Sequence, residues 1–130
     1  MKAILLDTHA FLWFVTDDPR LTDAAAALIA DVGITKHISL VSLWEIAIKS
    51  QLQKLNLGTN YDAFVQEYIT AREVELIPID LRHLSVYSSL PLHHHDPFDR
   101  MIIAQATALD LPIVTRDPNY ASYRVEVVWK

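Results

Sequence analysis

Cysteine is absent from the 130 residues, so disulfides and thiolate chemistry are excluded and a reducing cytoplasm is the expected setting. Long hydrophobic runs are absent too. The apolar start, Met1 to Val15, is interrupted by Asp7 and His9, and no small-residue cleavage site follows it, which argues against a signal peptide or a membrane span. No repeat or low-complexity segment occurs. At this length a single domain, residues 1–130, is expected, and it would bury roughly two-thirds of the surface that its unfolded chain exposes. Positive charge is also scarce. Eleven Lys and Arg against 16 Asp and Glu give a formal charge of −5, which argues against a protein that grips nucleic acid through a dense basic surface. If carboxylates share a metal site, two divalent cations would bring −5 to −1 (−5 + 4), and the metals themselves would then meet a phosphate. An ordinary acidic surface accounts for the charge equally well.

Over half of the residues are hydrophobic, 52%, and their periodicity orders the chain. Lys2 to Leu6 reads as a strand ending at Asp7-Thr8, after which Ala10, Phe11, Trp13 and Phe14 follow helical spacing until Pro19. Leu21 to Asp31 reads as an Ala-rich helix closed by Gly33, His37 to Val41 as a second strand, and Ser42 to about Leu52 as a helix. Asn60 to Arg72 carries one apolar stripe and predicts another helix. Val74 to Ile79 reads as a strand, Asp80 to Ser88 as a short helix, Pro91 to His95 as a loop and Pro97 to Leu109 as a helix. Leu111 to Thr115 and Val125 to Trp129 supply the last strands. Strands that alternate with helices and are apolar throughout predict an α/β three-layer sandwich with a central, mostly parallel sheet of about five strands.

In such sheets ligands bind beyond the carboxyl ends of the strands, where the chain order reverses. Asp7 follows the first strand directly, and Asp117 lies just past the fourth. Asp99 heads a stripe continued by Ile102, Ile103 and Ala106, and Glu45 heads one continued by Ile48, Leu52 and Leu55. An unpaired inward carboxylate costs several kcal/mol, so acids of this kind are kept where donors, cations or metals satisfy them. A shared cation would satisfy all four, and magnesium suits an all-oxygen site. Each acid has a plainer reading as well. Ser42-Leu43-Trp44-Glu45 matches a capping box, Asp96-Pro97 and Asp117-Pro118 match an N-cap followed by proline, Asp7 can cap the first helix, and Asp99 can complement a helix dipole. Caps do not explain four acids converging at one end of one sheet.

Other polar residues carry weaker signals. His93, His94 and His95 are adjacent and cannot all aim at one zinc ion without contortion. His9 reads either as a packing histidine or as a general base near the crevice. Arg100 and Arg116 each neighbour a proposed ligand, either as phosphate donors or as surface ion-pair partners.

Four segments taken together resemble a PIN domain of the VapC toxin type: Ile4-Leu5-Leu6-Asp7-Thr8, Leu43-Trp44-Glu45-Ile46, His94-His95-Asp96-Pro97-Phe98-Asp99-Arg100-Met101-Ile102-Ile103-Ala104-Gln105-Ala106, and Val114-Thr115-Arg116-Asp117. The similarity covers essentially the whole chain, and the segment around Asp99 is the most specific part of it. The resemblance implies a central parallel sheet, a Mg2+- or Mn2+-dependent endoribonuclease acting on RNA, neutralisation by a cognate antitoxin protein, and a homodimer. By position it assigns Asp7, Glu45, Asp99 and Asp117 as acidic ligands and catalytic residues, with Thr115 as a supporting polar residue. The acidic net charge departs from the pattern, since no basic path for RNA is evident.

Two rivals remain at this point. An aspartyl-phosphate enzyme or receiver domain would also place Asp at a strand end, but Asp7-Thr8-His9 lacks the second aspartate of the former and no acidic pair ends the first strand as in the latter. Alternatively, the acids are only caps and Phe11, Trp13, Phe14 and Trp44 form a partner-binding surface of a non-catalytic module.

Overall fold

The computed structural model describes residues 1–129. Five strands, β1 (Ala3–Leu6), β2 (Thr35–Ser39), β3 (Glu75–Ile77), β4 (Ile113–Val114) and β5 (Val127–Val128), form one sheet in the order β3-β2-β1-β4-β5, and every pairing in it is parallel. Helices α1 (Thr8–Val15), α2 (Asp23–Ala30), α3 (Leu40–Gln51), α4 (Tyr61–Val65), α5 (Leu81–Ser89) and α6 (Pro97–Leu109) fill the connections. Along β1, Ile4 and Leu6 belong to one hydrophobic cluster with Phe11, Ile29, Ile46 and Phe64, whereas Leu5 belongs to the opposite one with Met101, Ile102 and Tyr120. Strand alternation thus sends successive side chains to two cores, and both sheet faces are covered. Among the described residues no helix is long and apolar enough to cross a membrane.

The chain runs outward from β1 through β2 to β3, then returns to place β4 on the other side of β1. Order therefore reverses between β1 and β4, and the crevice beyond their carboxyl ends is the place where such sheets hold ligands.

The expected helix Leu21–Asp31 and strands Val74–Ile79, Leu111–Thr115 and Val125–Trp129 are each shorter than the sequence suggests, and two other boundaries shift more consequentially. The second strand runs over Thr35–Ser39 rather than His37–Val41, and α3 opens at Leu40, with the Val41 N–H donating to Ser39 Oγ at 3.2 Å. Ser39 and Ser42 both stand in the otherwise apolar stretch Ile38 to Leu43, and either can cap a helix, so the pattern alone does not mark which of them opens it. Ser42 is consequently buried inside the helix, where its Oγ accepts from Thr8 Oγ1 at 2.9 Å, and the Ser42–Glu45 capping box does not form. The helix expected over Asn60 to Arg72 is α-helical only to Val65 and continues as a π-turn over Gln66–Thr70. The wider turn brings Phe64 and Ile69, five residues apart and both buried, to the same core.

Candidate active site at the β1–β4 switch

Asp7 leaves β1 and caps α1, its Oδ1 accepting from the Ala10 N–H at 2.8 Å. Its Oδ2 accepts from the hydroxyl of Thr115, the residue after β4. Thr115 Oγ1 in turn accepts the Asp117 N–H at 3.0 Å, so one threonine ties together the acids that leave two neighbouring strands. Asp7 is 3% exposed, and burial pushes its carboxyl up from 3.8 to about 6 despite the two hydrogen bonds. Asp117 caps the 3-10 turn Pro118–Ser122, accepting from the Asn119 N–H at 2.9 Å. Asp96 caps α6, accepting from the Asp99 N–H at 3.0 Å. The capping readings of Asp7, Asp96 and Asp117 thus describe the local geometry correctly.

Asp99 caps nothing. It stands in the first turn of α6, where Tyr120 donates its hydroxyl to Oδ1 at 2.8 Å. Burial raises its pKa, and the charges of Asp96, Asp117 and Glu45 raise it further. Tyr120 is completely buried, and burial together with Asp7, Asp99 and Asp117 holds its phenol well above the ordinary range, so it remains a hydrogen-bond donor. Asp7, Asp99 and Asp117 all press on this one phenol, and Glu45 presses on Asp99. The four expected acids therefore share one electrostatic neighbourhood.

Glu45 sits in the second turn of α3 rather than at its start, 8% exposed and paired with Lys49 Nζ at 2.8 Å. Its inward face is shared with Val41, Ser42 and Ile46, while Leu52 is exposed. No lysine or arginine among the described residues forms an ion pair with Asp7 or Asp99.

The donor set is all carboxylate and hydroxyl oxygen, which suits a hard divalent cation. Among the described residues no three His, Asp or Glu side chains stand close enough to wrap one ion.

Several expectations about neighbouring residues are corrected. Arg100 points away from the acids. Its guanidinium is buried and donates to the Pro91 carbonyl at 2.8 Å, the His94 carbonyl at 3.4 Å and Tyr123 Oη at 2.9 Å, while packing over Tyr87. A cation engaged in this way is not free to hold phosphate. Replacing Arg100 by Met is expected to cost about 3 kcal/mol, because two carbonyls and a phenol lose their donor. Urea unfolding would read this directly, and a loss below about 1 kcal/mol would show that Arg100 is dispensable to the fold. Arg116 is exposed, with its guanidinium 6.0 Å from the Trp13 ring. His9 is exposed rather than packed inside; its ring lies 5.7 Å from Trp13 and its charge lowers the Asp7 pKa. Of the aromatics considered as a partner surface, Phe11 is core and Trp13 and Phe14 are half-buried. Trp44 alone is open, 60% exposed and edge-on to Phe98 at 5.3 Å. His93 and His94 both pack on Tyr123.

Tyr120 and Lys49 are the site residues that sequence reasoning missed. Lys49 stands four positions after Glu45, the helical spacing of an ion pair, and was legible on that ground. Nothing local marks Tyr120.

A parallel α/β sheet whose order reverses between β1 and β4, with Asp7 and Asp117 leaving the ends of those two strands, defines the class of open parallel α/β domains that take ligands at that crevice. The family model described as the PIN domain matches residues 4–126, and the chain belongs to that family. It is similar to Ribonuclease VapC22 of Mycobacterium tuberculosis (strain ATCC 25618 / H37Rv), with 27% identity over 126 residues, 95% of this chain and 94% of that protein. Its fold is like that of VapBC2 from Rickettsia felis bound to a DNA fragment from their promoter, with a TM-score of 0.73 at 17% identity over 98% of this chain and 99% of that one. FitAcB from Neisseria gonorrhoeae is similar as well, with a TM-score of 0.71 at 20% identity over 95% of each chain.

Proposed function

We propose that the chain is a divalent-metal-dependent endoribonuclease, the toxin of a toxin–antitoxin pair, with Asp7, Glu45, Asp99 and Asp117 as its catalytic acids. The observation that carries this reading is the gathering of Asp7, Asp99 and Asp117 around Tyr120 at the sheet's switch point, with Glu45 acting on Asp99 and, among the described residues, no lysine or arginine paired with Asp7 or Asp99. The ribonuclease name of the similar mycobacterial protein and the toxin–antitoxin complexes among the similar structures support it. The reading carries with it a cognate antitoxin protein, pairing of two copies, and a cytoplasmic setting.

Bound Mg2+ or Mn2+ would supply a water activated for attack and positive charge against the negative charge that develops on the phosphate and leaving oxygens. Asp7 and Asp99 would hold the ion, flanked by Glu45 and Asp117. Thr115 fixes the angle of Asp7, and Tyr120 fixes that of Asp99. Lys49 restrains Glu45. Arg116, beside Asp117, has its guanidinium 6.0 Å from the Trp13 ring, near which exposed His9 and Arg20, itself paired with Asp18, also lie, so this acidic protein carries a local strip of basic and aromatic side chains. Such a strip is what an RNA backbone and its bases bind.

Water rather than the ribose 2′-hydroxyl is the nucleophile in this scheme, so cleaved RNA is expected to carry 5′-phosphate and 3′-hydroxyl ends. Mapping new 5′-phosphate ends across total RNA after induced expression tests it without a prior guess of target. Ends that carry 2′,3′-cyclic phosphate, or cleavage that survives EDTA, would favour acid–base chemistry at His9 instead.

A further inference from the structure

A chain of side chains leads from the buried arginine to the acid cluster, and the reading above gives it no role. Arg100 can only donate, so Tyr123 Oη accepts from its Nη1 at 2.9 Å. The Tyr123 hydroxyl is then free to give its own proton to His94 Nδ1, 2.8 Å away. Were Nδ1 the donor, Tyr123 would accept twice and its own buried proton would have no acceptor. The ring hydrogen of His94 therefore sits on Nε2. That nitrogen is buried and has no hydrogen-bond partner among the described residues, and it stands 3.5 Å from Asp99 Oδ2. The other oxygen, Oδ1, is the one that Tyr120 holds.

We propose that His94, aimed by Tyr123 and Arg100, is a positioning residue for Asp99: its Nε2–H and the Tyr120 hydroxyl face the two carboxylate oxygens from opposite partners and fix the direction in which Asp99 presents its remaining lone pairs. The proposal rests on Asp99 being a cation ligand. Groups that orient a ligating carboxylate are worth about 10- to 100-fold in metal affinity.

The test is Mn2+ binding to the whole protein without RNA, followed by the electron spin resonance of the free ion, in wild type, His94→Phe, His94→Gln and Tyr123→Phe. Thermal unfolding without metal accompanies each variant. His94→Phe is expected to weaken binding at least about tenfold. His94→Gln, which can return an N–H toward Asp99, is expected to restore most of it, and Tyr123→Phe, which loses only a hydroxyl and touches no acid, to weaken it several-fold. Should His94→Phe fail to fold, Tyr123→Phe carries the test. Affinity within twofold of wild type in a folded His94→Phe, or in Tyr123→Phe, overturns the positioning role. If wild type binds no Mn2+ that Asp99→Asn abolishes, the metal reading itself fails, and the positioning role falls with it.

Discussion

Asp99→Asn is expected to lower RNA cleavage by more than about a hundredfold while leaving the metal-free protein as stable as wild type or more so. The loss exceeds that for an orienting neighbour because the group removed is a charge in direct reach of the cation. Stability is spared because asparagine keeps the oxygen that accepts from Tyr120, because His94 Nε2, 3.5 Å from Oδ2, makes no hydrogen bond there that could be lost, and because the repulsion from Asp96, Asp117 and Glu45 disappears. Asp99 caps nothing, so no backbone donor is orphaned. Asp7→Asn is expected to match it in activity but is a less clean probe. Both oxygens of Asp7 accept hydrogen bonds, from Ala10 N–H and from Thr115, and an amide can replace only one of them. Cleavage rates with melting temperatures for both variants decide the matter. Two folded variants without activity place the chemistry at the acids. Activity within tenfold of wild type in Asp99→Asn removes Asp99 from the site. A fall of more than about 10 °C in both, roughly 2–3 kcal/mol at this chain length, would mean that the acids chiefly serve the fold.

What the sequence made legible, and what it did not, follows from the range of the interactions involved. Asp7 and Asp117 could be placed because a strand end followed by a cap is a local pattern, and Asp99 because Asp96-Pro97 marks a helix start that fixes the phase of the stripe behind it. Glu45 was placed on the inward side although its helix begins two residues earlier than expected and Leu52, counted in its stripe, is exposed. Helical phase tolerated the error because Val41, Ile46 and Glu45 itself lie within one arc. Arg100 was misjudged by proximity in sequence. Adjacent helical residues point about 100° apart, so a side chain next to an inward acid is turned toward other partners, here Tyr123 and the Pro91 carbonyl. The contacts that organise the acids were illegible for a different reason. Thr115 to Asp7, which only the family resemblance suggested, and Tyr120 to Asp99 and Thr8 to Ser42, which nothing suggested, join residues 108, 21 and 34 positions apart. Such pairings depend on sheet register and helix docking, and no periodicity carries them.

The burial of Asp7 has a thermodynamic signature that needs no substrate. Asp7 titrates at about 6 in the folded protein against 3.8 ordinarily, with burial as the main cause. Between those values the folded chain keeps a proton that the unfolded chain has released. Stability from this group is therefore complete below pH 3.8, is lost as pH rises through about 6, and stays low above it. A gap of that size corresponds to about 3 kcal/mol. Asp99, raised by burial and by its acidic neighbours, pushes in the same direction. The exposed Asp18, held down to about 2 by Arg20, changes charge only below this window and does not oppose it. Metal-free protein is thus expected to melt higher at pH 5 than at pH 7.5, and Asp7→Asn to flatten the difference. Millimolar Mg2+ or Mn2+ should raise the melting temperature at pH 7.5 and do little at pH 5, because a cation and a proton compete for the same carboxylates. Calorimetry of wild type and Asp7→Asn at both pH values, with and without Mg2+, measures all of this at once. A pH difference erased by Asp7→Asn and reversed by the metal would mean that the fold tolerates Asp7 as a buried, uncompensated charge because a cation completes it. A melting temperature indifferent to pH and to Asp7→Asn would mean instead that Thr115 and the Ala10 N–H already satisfy the carboxylate, and that no cation is needed there.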